Sequence, residues 1–210
     1  MKECIRCRRI RRQIIIATPN KEIFEIVNSY NGIAIMTKFS HESGSDRVFE
    51  ALERYDKDKK YKTIINLQGD LPNINPSLIN RTYKLLTENS NADISTLCCP
   101  IFDNKEVENP NIVKAYIKSL VKPIYANDFV RVPGSYEHKK LFHHLGIYGY
   151  KRSSLKKFIS MSQSPREKES KLEQLRALDN GMKIVIDLTD NIPIGVDTEN
   201  DLNNIRKEFE

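Results

Sequence analysis

Short runs of β-branched residues alternate along this chain with stretches where apolar side chains return every three or four positions. The first kind of spacing suits a buried strand and the second an amphipathic helix. Gln13–Thr18, Ile33–Thr37, Lys62–Leu67, Asp93–Cys99 and Lys183–Leu188 are therefore predicted strands. Val113–Ile117, Val121–Tyr125 and Leu145–Tyr150 carry a weaker version of the pattern. Helices are predicted over Lys21–Tyr30, over Ser45–Tyr55, and from Asn75-Pro76 through Leu86, because proline fits a first helical turn. A charged helix over Arg166–Asn180 is closed by Gly181, and a last one spans Thr198–Phe209 with Thr198 as its cap.

Strands that alternate with helices imply an α/β fold with a mostly parallel sheet covered on both faces. Ligands of such sheets lie beyond the carboxyl ends of the strands. Two aspartates stand at such places. Asp70 follows the strand Lys62–Leu67 by three residues, and Asp197 precedes the last helix.

Composition narrows the function classes. The 210 residues are 39% apolar and 30% charged, the balance of a globular protein. No apolar run is long enough to span a bilayer, and the basic first residues lack the apolar core of a signal peptide. Four cysteines, at 4, 7, 98 and 99, are badly spaced for a disulfide framework, so a reducing, cytoplasmic setting is expected. The net charge is +6, but six of the 34 basic and one of the 28 acidic residues fall within 1–12. The remaining 28 basic and 27 acidic residues nearly cancel. A nucleic-acid-binding module using Arg6–Arg12 is one reading of that segment, and the neutral body argues against it.

Five segments carry candidate chemistry. In Asn66-Leu67-Gln68-Gly69-Asp70-Leu71-Pro72 a strand runs into a glycine and then a carboxylate suited to a hard cation such as magnesium. It also reads as a plain polar turn. His41-Glu42-Ser43-Gly44-Ser45-Asp46-Arg47 opens a helix whose free N–H groups suit an anion or a base carbonyl, or form an ordinary cap. His143-His144-Leu145-Gly146-Ile147-Tyr148-Gly149-Tyr150 lacks the further ligands of a zinc site. In Leu172-Glu173-Gln174-Leu175-Arg176 the leucines would face the core and Glu173 and Gln174 would point elsewhere. Ile194-Gly195-Val196-Asp197-Thr198 pairs a close-approach glycine with a carboxylate that could complete a metal site with Asp70.

Taken in order, HESGSDR, NLQGDLP, HHLGIYGYKR, LEQLRALDNGMKI and GVDTENDL resemble the 3-deoxy-manno-octulosonate cytidylyltransferases (CMP-Kdo synthetases), from about Ile14 to Glu208. The resemblance implies a Rossmann-like nucleotidyltransferase domain over 13–210, preceded by a basic segment 1–12 outside the family pattern. A small dimerisation excursion is expected at about 112–150, and hence a homodimer. It implies transfer of CMP from CTP to Kdo, with release of pyrophosphate, for lipopolysaccharide synthesis. By match of position, Asp70 and Asp197 would be the catalytic, magnesium-holding pair. Ser43, Gly44 and Arg47 would lie at the nucleotide, and Gln68, His144, Tyr148, Glu173 and Gln174 at the sugar acid.

The chain departs from the family in several places. The family's first strand and its glycine- and arginine-rich phosphate loop have no counterpart before Ile14, which implies a truncated or weakly active member. A carboxylate after the second family strand is replaced in Ala17-Thr18-Pro19. The family's glutamate after QGD is Leu71. A sugar-binding arginine is replaced within Tyr125-Ala126-Asn127-Asp128, with Arg131 as a candidate substitute. CMP-sialate synthetases share the general chemistry, while the LEQLR and GVDT segments favour the Kdo branch.

Overall fold

The computed structural model describes residues 13–190, 193, 195, 196 and 198–209. The chain begins with a β–α–β unit: β1 (Ile16–Thr18), α1 (Lys21–Ser29) and β2 (Ala34–Met36), the two strands parallel. Helix α2 (Gly44–Tyr55) leads to β3 (Thr63–Leu67), and α3 (Pro76–Glu88) to β4 (Ile94–Pro100). An excursion follows with α4 (Asn104–Glu108), β5 (Lys114–Tyr116), β6 (Ile124–Tyr125) and β7 (Asp128–Val130). The eleven-residue β8 (Leu141–Lys151) returns through the centre. Helices α5 (Arg152–Ser160), α6 (Pro165–Ser170) and α7 (Gln174–Asp179), strand β9 (Ile184–Leu188) and helix α8 (Glu199–Phe209) complete the chain.

The α/β alternation is as the sequence implies, but the sheet is less parallel than expected. In the seven-stranded sheet the order is β6-β9-β4-β8-β5-β7, with β3 also on β8. Only β4 and β9 pair in parallel there, while β8 runs antiparallel to β3, β4 and β5. The cause lies in the connection. Between β4 and β8 the chain makes an excursion rather than a helical crossover, and so it re-enters the sheet reversed. Strands β3, β4 and β9 still share one direction, so their carboxyl ends lie on one side.

Side chains of β4 alternate between two cores. Ile94 and Cys98 join Leu52 of α2, Leu155 and Phe158 of α5, and Leu175 of α7. Leu97 and Cys99 face Leu78 of α3. Gly149 of β8 allows α3 to approach, since a Cβ there would overlap Ser95 Oγ, which itself bonds Thr82 O of α3 at 2.8 Å. Helix α2 packs on β1, β2 and β3, spanning two sheets that are not paired with each other among the described residues.

The expected single helix over Arg166–Asn180 is two. Ser164 and Glu167 form a capping box at the start of α6, and Lys171 takes left-handed φ 54° at its end. The fold-back lets Arg176 of α7 hold Glu167 of α6 through two bonds, Nε to Oε2 at 2.8 Å and Nη2 to Oε1 at 2.6 Å. Arg131 steadies the break by donating to the carbonyls of Ser170 and Lys171.

Candidate active site

A cavity of about 440 Å³ opens beside the carboxyl end of β3. Its walls are Glu42, Ser43 and Gly44 at the start of α2, Gln68 after β3, Gln163, Glu167, Lys168 and Lys171 around α6, and Glu173 before α7. Four residues singled out from the sequence, Ser43, Gly44, Gln68 and Glu173, thus meet in one place. Gly44 keeps this approach close: a Cβ would stand 3.0 Å from Gln68 Nε2 and push that amide aside by a few tenths of an ångström.

The start of α2 is more heavily committed than its sequence suggests. Ser43 Oγ accepts from Asp46 N at 3.2 Å and donates to Asp46 Oδ2 at 2.7 Å. Ser45 N donates to Glu173 Oε2 at 3.2 Å. A carboxylate of the protein thus already sits on this helix end, which the sequence offered to an external anion. Burial pushes the Glu173 carboxyl up, against the bonds from Ser45 and Ser43 and the charge of Arg176. Arg47, expected at the nucleotide, instead bonds Thr37 Oγ1 at 2.8 Å and Lys38 O at 3.2 Å, holding the loop after β2.

His144 and Tyr148 lie beneath the cavity in β8 rather than on its wall. His144 is 7% exposed, packed edge-on against Phe129 and tilted against Tyr148, and burial with the neighbouring His143 holds its pKa down to about 3. Thr96 Oγ1 gives its proton to Ile147 O at 2.8 Å, so His144 Nε2–H donates to Thr96 at 2.9 Å. The ring is then neutral with Nδ1 as an acceptor, which suits gripping a hydroxyl and not general-acid work. Burial raises the Tyr148 hydroxyl well above its usual range, so it stays protonated. Gln174 is buried at the first turn of α7 and is not on the cavity wall. Leu172 and Leu175 are buried as expected, and so is Arg176.

Asp70 stands on the exposed turn after β3. Its backbone O accepts from Val196 N at 2.9 Å. Asp197, its expected partner, lies outside the described residues, but the residue before it is bonded to Asp70. No group of three or more potential metal-binding side chains occurs among the described residues.

The departures have structural explanations. Pro19 stands in place of the family carboxylate, between Thr18 and Asn20, whose N–H donates to Thr18 Oγ1 at 3.0 Å beside α1. Asp128 is neutralised by Arg166 and Tyr136. Arg131, the candidate substitute for the sugar-binding arginine, is committed to the carbonyls of Pro110, Ser170 and Lys171. Lys168 and Lys171 are the cations on the cavity wall, and sequence reasoning missed them. Their i, i+3 spacing was the available signal, obscured by the charged run around them.

The model of the cytidylyltransferase family matches residues 2–184. A 3-deoxy-manno-octulosonate cytidylyltransferase of Nitrobacter hamburgensis is 44% identical over 197 residues, which is 93% of this chain and 76% of that protein. Its counterpart from Brucella anthropi is 43% identical over 194 residues, 91% of this chain and 78% of that one. A solved CMP:2-keto-3-deoxy-manno-octonic acid synthetase complexed with CTP superposes with a TM-score of 0.83 at 29% identity. The superposition covers 94% of this chain and 80% of that one. A 4-diphosphocytidyl-2C-methyl-D-erythritol synthase from Anaerococcus prevotii shares the fold at TM-score 0.57 and 14% identity.

Proposed function

We propose that the chain, which belongs to the cytidylyltransferase family, transfers CMP from CTP to 3-deoxy-manno-octulosonate (Kdo) and releases pyrophosphate, a step toward lipopolysaccharide. The bond from Val196 N to Asp70 O carries this reading. It brings Val196, the residue before Asp197, onto the turn of Asp70, beside the cavity that Gln68 and Glu173 line. Two loop carboxylates are the hard oxygen donors magnesium prefers, and Asp70 and Asp197 are the residues that would hold it. When bound, the ion would neutralise the triphosphate's charge.

The remaining chemistry is positioning. The sugar's anomeric hydroxyl attacks the α-phosphorus of CTP, the bond to the β-phosphate oxygen breaks, and pyrophosphate leaves. Nucleotidyl transfer of this kind needs alignment and charge compensation, not a covalent enzyme intermediate. Gln68 and Glu173 offer polar groups to a polyhydroxylated acceptor, and Lys168 and Lys171 offer positive charge to its carboxylate. The chain acts as a homodimer in the cytoplasm. Exposed Leu120 and Val121 support the first, and the free buried thiols of Cys98 and Cys99 the second. No described helix is long and apolar enough to cross a membrane.

The test is pyrophosphate release from CTP with Kdo and Mg²⁺. Turnover is expected that needs the metal and is lost in Asp70→Ala. No release above the blank would overturn the reading, and turnover with a sialic acid but not with Kdo would move it to the sialate branch.

A further inference from the structure

Ser45 is 0% exposed inside the first turn of α2, and the chemistry above gives it no task. Its hydroxyl meets three partners from three elements. Asn66 Nδ2 of β3 lies at 3.2 Å, Tyr150 OH of β8 at 3.0 Å, and Glu173 Oε1 at 3.1 Å. A serine hydroxyl has one proton to give and two lone pairs to fill. The amide nitrogen of Asn66 can only donate, and an ionised carboxylate can only accept. Asn66 and Tyr150 therefore donate to Ser45 Oγ, and Ser45 donates to Glu173. Its backbone N–H donates to the other carboxylate oxygen at 3.2 Å. One serine thus holds both oxygens of Glu173, with every bonding position of its hydroxyl used.

We propose that Ser45 is a positioning residue: it fixes the Glu173 carboxylate at the cavity wall, tying α2 to the start of α7, so that the acceptor sugar acid meets a preset hydrogen-bond acceptor. The proposal deepens the reading above and rests on it for the identity of the acceptor. Without the Ser45 hydroxyl the carboxylate keeps only the Ser45 N–H and the Ser43 hydroxyl, and binding would have to order more of it.

The test uses the full chain and two variants that each remove one buried oxygen. Ser45→Ala deletes the donor to Glu173. Tyr150→Phe removes only a donor to Ser45 and keeps the grip on the carboxylate. In steady-state assays Ser45→Ala is expected to raise the KM for Kdo about tenfold with a much smaller change for CTP, the loss of one hydrogen bond to a charged group. Tyr150→Phe is expected to change it by less than about threefold.

A second readout needs no turnover: NMR titration of the Glu173 carboxyl carbon. Arg176 from its own helix faces that carboxyl, with Tyr148 and Tyr150 from β8. Asp46 of α2 faces Arg176, while Glu42, Glu167, Lys168 and Lys171 line the same cavity. Burial pushes the group up, and the Ser45 N–H, the Ser43 hydroxyl and the Ser45 hydroxyl pull it back, so Ser45→Ala, which removes the last of these, should move its midpoint further up and Tyr150→Phe should not. An unmoved Glu173 titration in Ser45→Ala, or equal effects of the two variants on KM, would overturn the proposal. If the wild type turns over no sugar acid, the proposed function fails, and the titration still decides whether Ser45 controls Glu173.

Discussion

Arg176 sits on a helix whose sequence reads as solvated charge, yet its side chain is 3% exposed and so is that of its partner Glu167. Phe158 lies under the guanidinium, 4.5 Å from its centre. Removing one member of such a pair leaves a buried charge without compensation. Arg176→Ala should therefore cost about 3–5 kcal/mol in urea unfolding, while Arg176→Met combined with Glu167→Gln should cost much less. Asp56 makes a second prediction. Burial works against its charge, but the N–H groups of Tyr61 and Lys60 and the guanidinium of Arg152 outweigh it and hold the carboxyl below its usual value. A carboxyl lowered by folding adds stability that is complete above its unfolded pKa, about 3.9, and is lost as pH falls through the folded value. Asp56→Asn should therefore be less stable than the wild type at pH 7, and thermal melts of the two should converge toward pH 3. Neither pair was legible in the sequence. Each joins residues distant along the chain, or across a break, whose proximity only the fold sets.

The β1–β2 pair is the element with least support. It is not paired with β3 among the described residues, and Ile14, Ile16, Ile23 and Ile26 around it remain 37–45% exposed. Strand β4, in contrast, is bonded on both sides and buried through its first six residues. Local opening follows such differences in burial and pairing. Amide exchange should therefore be fast in 16–18 and 34–36 and slowest in 94–99. Equal protection of the two would refute this. The strands of the β–α–β unit, together with β3, β4 and β9, were readable because each is a compact β-branched run with a turn signal after it. Strand β8 was read only over Leu145–Tyr150, because His143 and His144 interrupt the apolar run with polar groups. The structure satisfies them through Glu106 and Thr96, which no local pattern reveals. The short helices α4 and α5 were missed for a related reason: α5 shows an apolar face only at Leu155, Phe158 and Ile159. The site was legible where a glycine marks close approach, at Gly44, and where a carboxylate follows a strand, at Asp70. It was not where the contributing side chain is a serine or lysine, residue types the surface also uses freely.

For the whole molecule the open question is how the excursion is used. Its outer strand β7 ends the sheet, with β5 on its inner side. At the two ends of that strand pair, Leu120 and Val121 are 55% and 77% exposed and Val132 is 57% exposed. An unpaired strand edge with apolar side chains at both ends is a surface that globular proteins ordinarily cover. The charge distribution does not oppose self-association, because outside residues 1–12 the chain is almost neutral. A symmetric pair that buries about 800 Å² per partner would shield these residues. Light scattering on the full chain should therefore give the mass of two chains at micromolar concentration. Val121→Asp with Val132→Asp should give that of one, since an unpaired carboxylate placed in the interface must be desolvated there. Neither substituted residue lies on the cavity wall formed by α2, α6 and Glu173, so the monomeric variant should keep its CTP binding. Loss of that binding on dissociation would instead mean that the dimer shapes the nucleotide site.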